Sequence, residues 1–359
     1  MTATLTDQDR PELRRVIQEI ADSGFTGVAL RVRDERGEWA GSAGVAELGH
    51  SAPPSIDGHV RIGSNTKTFT ATVVLQLVAE GRIELDAPVG DYLPEFGFDP
   101  RITVRMVLQH TSGIFNFTGE HLEDGTVLPG IVWSGRAWVE DRFRTYRTEE
   151  LVRLALSKAP RFEPGADWSY SNTNYAVARL LVEKVTGNTL AEEMRRLILE
   201  PLGLSGTSVP DTSEVPAPHV HAYYRYEEDG GDTTVDVTLQ NPSWISSGGD
   251  MISTTADLRT FITALVTGRL LPAPLLAEML TPHAKVPYGL GVFVQPTEGG
   301  GTVITHNGGI SGHGALMYTT PDGATTLTAA LNYVDDADLS LAGAFQKAVQ
   351  RLVDEVFTR

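Results

Sequence analysis

Strand-like segments lie at both ends of this 359-residue chain, and helical patterns fill most of the sequence between them. Near the N-terminus, residues 27–44 alternate in polarity around a turn at 35–37, which is typical of a two-stranded hairpin. Near the C-terminus, glycine and proline turns separate four strand-like runs: YGLGVFVQP, GTVITHNGG, GALMYTTPD and ATTLTAALNY. We therefore predict an α+β fold with an antiparallel sheet built from both chain ends and flanked by helices.

Helical periodicity and breakers indicate helices at 10–23, 64–81, 103–109, 148–158, 173–187, 190–200, 255–267 and at the C-terminal end of the chain. The pattern predicts a sheet domain formed by residues 1–80 and 250–359. A mainly helical domain at 81–249 is inserted into it, and the functional site lies between the two. Within the insertion, 110–147 is expected to be irregular and lid-like.

Composition excludes several classes of protein. The net charge of −17 argues against binding to nucleic acid or to anionic membranes. There is no cysteine, so neither disulfides nor thiolate chemistry is available. No apolar run reaches the roughly 18 residues of a membrane-spanning helix, and the N-terminal residues lack the apolar core of a signal peptide. We therefore predict a cytoplasmic protein, and the sequence leaves its oligomeric state open.

The first motif that can carry chemistry is Ser64-x-x-Lys67, at the start of a predicted helix. Residues three apart share one face of a helix, so the lysine can reach the serine hydroxyl. Serine is a weak nucleophile that needs an adjacent base, and a lysine can serve if burial lowers its pKa. The alternative is a helix cap followed by a surface lysine.

Two further motifs follow in the sequence. Tyr170 and Asn172 lie two apart in an extended segment, where a tyrosine can pass a proton to a leaving group and an asparagine can hold a substrate amide. At the end of a predicted strand, His306 is followed by Gly308 and Gly309, which permit close backbone approach and an N–H donor to an oxyanion. For Tyr170 and Asn172, the alternative is ordinary packing and helix capping. For the His306 segment, the alternative is a plain turn at the strand end.

Taken together and in this order, the three motifs resemble those of the penicillin-recognising serine enzymes. These include penicillin-binding proteins, class C β-lactamases and related esterases and D-aminopeptidases. The similarity runs nearly end to end and is closest in character to the actinomycete D-Ala-D-Ala carboxypeptidases. The segments that carry it are VRIGSNTKTFTATVVLQLVAEGRIELDAPVGDYLP, ITVRMVLQHTSGI, FEPGADWSYSNTNYAVARLLVEKVTG, YGLGVFV and THNGGISGHGA. The resemblance implies a β-lactamase/DD-peptidase-like fold.

The resemblance also implies a role for each matching residue. Ser64 is the acylated nucleophile, Lys67 its base or proton relay, and Tyr170 the proton shuttle to the leaving group. The remaining implied positions are Asn172 at the acyl side-chain amide, His306 and Gly308 in the third motif, the backbone N–H groups of Ser64 and Gly309 as oxyanion hole, and Trp244 as an aromatic wall.

Two departures from the family pattern bear on the substrate. Gly309 stands where the carboxypeptidase-like members carry a hydroxyl residue, and Phe293 stands where they carry an arginine. A free substrate carboxylate would lose charge-assisted hydrogen bonds worth about 1.5–3 kcal/mol each. Esters, amides or blocked peptides are therefore expected to fit better than D-Ala-D-Ala peptides or β-lactams.

We therefore predict a serine acyl-transfer enzyme that forms an acyl-Ser64 intermediate and hydrolyses an ester, amide or D-amino-acid-containing peptide bond, without metal or cofactor. Its partners are expected to be a small-molecule or peptide substrate and, in one alternative, an amine acceptor. The alternatives are a transacylase of natural-product or peptide biosynthesis, a β-lactamase or DD-carboxypeptidase, and a non-catalytic binder with the same fold.

Aromatic residues of the lid-like region suggest an apolar acyl pocket, although simple packing of a long loop is the competing interpretation. They are Phe115, Phe117, Trp133 and Trp138. Histidines elsewhere are weaker candidates. The pair at 219 and 221 has no evident third metal ligand, and His110 and His313 are expected to be structural.

Overall fold

The computed structural model describes residues 9–122 and 124–358 of the chain. The strands are β1 (Gly27–Asp34), β2 (Gly37–Gly44), β3 (Val60–Arg61), β4 (Glu120–His121), β5 (Val127–Leu128), β6 (Tyr223–Glu228), β7 (Gly231–Asp236), β8 (Ile252–Ser253), β9 (Phe293–Pro296), β10 (Thr302–Ile310), β11 (His313–Thr319), β12 (Thr326–Asn332) and β13 (Val334–Asp336).

The α-helices are α1 (Pro11–Asp22), α2 (Thr66–Ala79), α3 (Val89–Tyr92), α4 (Val104–Gln109), α5 (Gly135–Asp141), α6 (Thr148–Leu156), α7 (Asn172–Thr186), α8 (Leu190–Met194), α9 (Glu200–Leu202), α10 (Thr255–Val266), α11 (Ala273–Leu280) and α12 (Ala342–Phe357). Short 3₁₀ turns lie at Gly63–Asn65, Pro94–Phe96 and Pro242–Ile245, and a π-helical turn at Arg195–Leu199 joins α8 to α9.

The main sheet has six antiparallel strands in the order β2–β1–β12–β11–β10–β9. The N-terminal hairpin therefore pairs directly with the C-terminal meander, with Ala29 opposite Ala330 at the β1–β12 junction. This confirms the predicted α+β architecture and the origin of the sheet in both chain ends. The pairing has a simple cause: β1 has a free edge and an apolar pattern, and β12 offers it a partner of matching length.

Helices cover both faces of the sheet. Side chains that alternate along β1 belong to two different cores: Val28 and Leu30 pack with α1 and α12, whereas Ala29 faces the larger core around α2 and α10. In that larger core the rings of Phe69 on α2 and Phe261 on α10 stack with their centroids 3.6 Å apart. Burial on both faces explains why β11 and β12 contain no lysine, arginine, aspartate or glutamate and are buried along their whole length.

The run YGLGVFVQP forms a strand only from Phe293 onwards. The preceding glycines instead allow the chain to approach the helices closely. A Cβ on Gly289 would lie 2.1 Å from the carbonyl oxygen of Met279, and one on Gly291 would lie 2.5 Å from the Cβ of Ala71 on α2. The glycines inside this predicted strand therefore serve a tight turn that approaches α2.

The middle of the chain supplies most of the remaining helices, with α7 buried against α2, α4 and α6. It also contributes β6 and β7, which form a small sheet with β13 in the order β13–β6–β7. Because β13 pairs in parallel with β6, this sheet links the middle of the chain to its C-terminal part. Domain boundaries near residues 80 and 250 remain a prediction.

The region 110–147 is less irregular than its sequence suggests. It contains the short β4–β5 hairpin and helix α5. Within the described part of the chain, no helix combines the length and apolarity needed to cross a membrane.

Replacing Phe261 with alanine should destabilise the protein, because it removes one half of the stacked pair that joins α2 to α10. We expect the free energy of unfolding to fall by about 3–5 kcal/mol. Urea unfolding followed by circular dichroism measures this change. Phe143→Ala is the matched control, because Phe143 is half-exposed and its loss should cost less than about 0.5 kcal/mol. Equal effects of the two variants would contradict the packing argument.

Candidate active site

Ser64 lies in the 3₁₀ turn at Gly63–Asn65 that leads into α2, between the sheet and the helical middle of the chain. The side chain of Asn65 fastens this turn, because its Nδ2 donates to the carbonyl oxygens of Ile62 and of Ala315 on β11, both at 3.0 Å. Ser64 itself is partly exposed, whereas Lys67 one turn later is fully buried.

Glycines bring β10 into contact with the turn that carries Ser64. A Cβ on Gly308 would lie 1.9 Å from the carbonyl oxygen of Ile62 and 2.7 Å from the backbone nitrogen of Ser64. A Cβ on Gly63 would lie 2.6 Å from the nitrogen of Gly309. No side chain fits at either position, so the two backbones run side by side. The N–H groups of Ser64 and Gly309 consequently lie at the same end of the cleft that both residues line.

Lys67 is held by three oxygen atoms. Its Nζ lies 3.2 Å from Ser64 Oγ, 2.8 Å from Asn172 Oδ1 and 2.6 Å from the carbonyl oxygen of Gly248. Burial lowers the pKa of Lys67 to about 7, and the charge of Asp250 partly opposes that shift. A substantial fraction of Lys67 is therefore neutral near pH 7.

The hydrogen bonds of Lys67 determine where its lone pair points. A neutral amine has two hydrogens, and the oxygens of Asn172 and Gly248 can only accept. Both hydrogens are therefore taken by these two oxygens, and the lone pair faces the hydroxyl of Ser64. This arrangement suits a proton acceptor for Ser64.

Tyr170 lies on the other side of the same hydroxyl. Its ring is 4.7 Å from Lys67 Nζ, measured to the centroid. Burial raises the pKa of Tyr170, and hydrogen bonding to Ser64 lowers it by a smaller amount. Tyr170 therefore stays protonated near neutral pH. His110 supports this segment, because its Nδ1 accepts the backbone N–H of Ser171 at 3.2 Å and its ring lies 4.4 Å from that of Tyr170.

Asn172 is the first residue of α7, and both ends of its amide have partners. Its Oδ1 accepts from Lys67, and its Nδ2 donates to Thr118 Oγ1 at 3.3 Å. Its backbone N–H donates to Asn116 Oδ1 at 3.0 Å. The side chain thus connects the lysine to the loop that borders the cleft.

His306 is buried beside the cleft and does not line it. Its Nδ1 donates to the carbonyl oxygen of Asn307 at 2.8 Å, and its Nε2 lies 3.5 Å from the hydroxyl of Tyr288. Burial lowers the pKa of His306 to about 3, so the ring is neutral at physiological pH. Phe293 packs edge-on against it with the ring centroids 5.4 Å apart. This end of the site therefore carries no positive charge from His306.

The cleft at Ser64 has a volume of about 160 Å³. It brings together several residues that the sequence indicated, and its lining consists of Ser64, Thr118, Trp133, Tyr170, Asn172, Trp244, Ile245, Gly249 and Gly309. Of the four aromatic residues considered for an acyl pocket, Trp133 lines the cleft and the other three do not.

Phe115 and Phe117 instead belong to the large core, and Trp138 packs in a separate cluster with Tyr224. The backbone explains the position of Phe115. Its carbonyl oxygen accepts from Thr173 Oγ1 on α7 at 2.7 Å, which holds this segment flat against the helix. The side chain of Phe115 is therefore directed into the core.

Two important groups were not singled out by sequence reasoning. The carbonyl oxygen of Gly248 binds Lys67, and Asp250 is fully buried nearby. Burial raises the pKa of Asp250, while the charges of Arg179 and Lys67 lower it. The available signal was the run SSGGD at 246–250, since a Cβ on Gly248 would lie only 3.2 Å from Lys67 Nζ.

The histidines outside the cleft have local partners. His221 Nδ1 lies 2.7 Å from Asp236 Oδ2, and buried His313 bonds through Nε2 to the carbonyl oxygen of Val220 at 3.1 Å. Across residues 9–122 and 124–358, no group of three or more histidine, aspartate or glutamate side chains is placed to hold a metal ion.

Comparison with known proteins gives consistent results. The family model described as Beta-lactamase matches residues 13–350. The putative penicillin-binding protein PbpX of Bacillus subtilis (strain 168) is 26% identical over 327 residues, which cover 91% of this chain and 75% of the relative.

Two solved structures extend the comparison. A D-stereospecific amidohydrolase from Streptomyces sp. is 37% identical, with a TM-score of 0.83 and coverage of 98% of this chain and 100% of the other. The D-amino acid amidase of Ochrobactrum anthropi SV3 shares the fold at 24% identity, with a TM-score of 0.80 and coverage of 96% and 98%. With Ser64 lining its cleft and Lys67 buried beneath it, the chain belongs to the β-lactamase family and is one of its serine hydrolases.

Proposed function

We propose that this protein hydrolyses an amide or ester of a D-amino acid through an acyl-Ser64 intermediate. The observation that carries the proposal is the contact between the buried amine of Lys67 and Ser64 Oγ at 3.2 Å. The preference for the D configuration is drawn from the Streptomyces amidohydrolase, which is D-stereospecific by name and similar along nearly its whole length.

The reaction begins when neutral Lys67 takes the hydroxyl proton of Ser64 and the oxygen attacks the substrate carbonyl carbon. The backbone N–H groups of Ser64 and Gly309 donate to the oxyanion that forms. Collapse breaks the bond to the leaving group, which receives a proton from Tyr170, and Tyr170 regains one from Lys67. Water then attacks the acyl-enzyme as the proton transfers run in reverse, releasing the acid and restoring Ser64.

The charge distribution of the cleft favours a neutral leaving group. Neither arginine nor lysine is among its lining residues, and Lys67 lies buried beneath it. Phe293 packs against His306, and the family resemblance implies an arginine for a departing carboxylate at this position. Amides and esters without a free carboxylate at this end are therefore better substrates than D-Ala-D-Ala peptides or β-lactams.

D-phenylalaninamide tests the proposal directly. We expect the wild-type protein to release ammonia from it faster than from L-phenylalaninamide. Ser64→Ala should lower kcat/KM by at least about a thousandfold, because the nucleophile is lost. Ser157→Ala, on the exposed surface, is the matched control.

Intact mass spectrometry with D-phenylalanine methyl ester should reveal an adduct that is confined to the wild-type protein and the control. Adding an amine tests the choice of acceptor, since transfer to the amine in place of water would appear as an amide product. Full activity of Ser64→Ala would rule out the mechanism.

The pH dependence of kcat/KM should report the ionisation of Lys67. With p-nitrophenyl acetate, which does not ionise in this range, the rate should rise with an apparent pKa of about 7, because only neutral Lys67 accepts the proton. Asp250→Asn removes a charge that raises the pKa of Lys67, so the rising limb should move to lower pH. If the rising limb in Asp250→Asn stays at the same pH or moves to higher pH, this assignment is contradicted.

Phe293→Arg should partly restore recognition of a carboxylate. We expect the rate constant for acylation by benzylpenicillin to increase about tenfold or more, since the new guanidinium can form a charge-assisted hydrogen bond. Phe293→Gln is the control, because it removes the ring without adding charge. Acylation can be followed by intact mass over time. If arginine and glutamine behave alike, the missing cation is not what limits β-lactam binding.

A further inference from the structure

A second and larger cleft of about 380 Å³ adjoins the cleft at Ser64. The two share Trp133, Trp244 and Gly309 in their linings, so they form one continuous depression. The second cleft extends along β10 from Asn307 past Gly309 to Ser311, just beyond the strand end. Phe293 pairs with Thr305, on the opposite side of Gly309 along the same strand. The second cleft therefore lies away from the end of the site assigned to the leaving group.

The walls of the second cleft combine aromatic rings with carboxylates. The rings are those of Trp133, Tyr224, Trp244, Tyr333 and Phe345, and the acids are Asp335 and Asp336. No lysine or arginine is among the lining residues. Aromatic faces and carboxylates both attract a cation, and neither attracts an anion.

The two acids differ in what already binds them. Asp336 forms an ion pair with Arg225 at 2.7 Å and accepts the backbone N–H of Ser340 at 2.9 Å, just before α12 begins. Its charge therefore compensates both the guanidinium and the positive end of that helix.

Asp335, by contrast, accepts the backbone N–H of Asp336 at 3.0 Å and that of Gly312, and it has no ion-pair partner among the described residues. Burial raises the pKa of Asp335 to about 6, so the carboxylate is largely ionised at pH 7 to 8. An ionised carboxylate that is partly desolvated and lacks a counter-ion favours a bound cation.

We infer that the second cleft binds the acyl part of the substrate and that Asp335 receives a free ammonium group carried by that part. This inference rests on the proposed function and narrows it to amides and esters whose acyl group is an aminoacyl or peptidyl unit with an unblocked amine. The aromatic walls would surround the same cation and pack against an apolar side chain beside it. An N-acylated substrate has no charge for Asp335 and should bind less well.

The test compares two p-nitrophenyl esters of D-phenylalanine, one with a free amine and one N-acetylated. We expect wild-type kcat/KM to favour the free amine, measured at pH 7, where a substantial fraction of the amine is protonated. Asp335→Asn should lower this ratio by about tenfold or more, since a charge-assisted hydrogen bond is lost. Asp338→Asn is the control for net charge, because Asp338 is exposed in the loop that follows β13 and lies outside the lining.

A second variant guards against a folding defect in Asp335→Asn. Leu339 is half-exposed and lines the second cleft, so Leu339→Lys places a cation there with little risk to the core. Leu339→Lys should lower the ratio of kcat/KM for the free-amine ester to kcat/KM for the N-acetylated ester, whereas Leu339→Gln should not. The inference fails if wild type hydrolyses both esters through Ser64 and neither Asp335→Asn nor Leu339→Lys changes the ratio. If neither ester is hydrolysed in a Ser64-dependent manner, the proposed function itself fails.

Discussion

The burial of one lysine is the constraint on which the rest of the site depends. Lys67 is fully buried beneath the cleft, and no carboxylate forms a direct ion pair with it among the described residues. A buried ammonium is unfavourable, so the protein lowers its pKa to about 7 and supplies two oxygen acceptors. These acceptors come from α7 and from the loop before β8, so the position of Lys67 fixes the position of both.

Backbone contacts complete the site where side chains cannot. Gly63 and Gly308 let β10 run against the turn of Ser64, and Gly248 lets a loop carbonyl reach Lys67. A Cβ on Gly63 or Gly308 would block its contact, and a Cβ on Gly248 would crowd the amine of Lys67. The geometry around Ser64 is therefore set mainly by main-chain groups belonging to the rigid parts of the fold, which keeps the N–H donors in place before a substrate arrives.

Much of this arrangement could be predicted because local sequence patterns determine it. Alternating segments and turns at both chain ends indicated the sheet, and three short motifs indicated Ser64, Lys67 and Tyr170. What escaped prediction depends on tertiary contacts. The partners of Lys67 at Gly248 and Asp250 lie far away in sequence, and the inward orientation of Phe115 follows from a hydrogen bond to α7. Sequence likewise could not show that Asp335 lacks an ion-pair partner, because this depends on where the nearby cations lie in the fold.

The pairing of β1 with β12 has a consequence for how the chain is made. The hairpin of β1 and β2 emerges from the ribosome long before its partner strand β12 is synthesised. Until then β1 has an unpaired edge, and α2 with its buried lysine has no sheet to pack against. Such long-range pairing slows folding and leaves an exposed strand edge in the nascent chain. Protection of that edge during synthesis, for example by a chaperone, would therefore govern how much active protein a cell obtains.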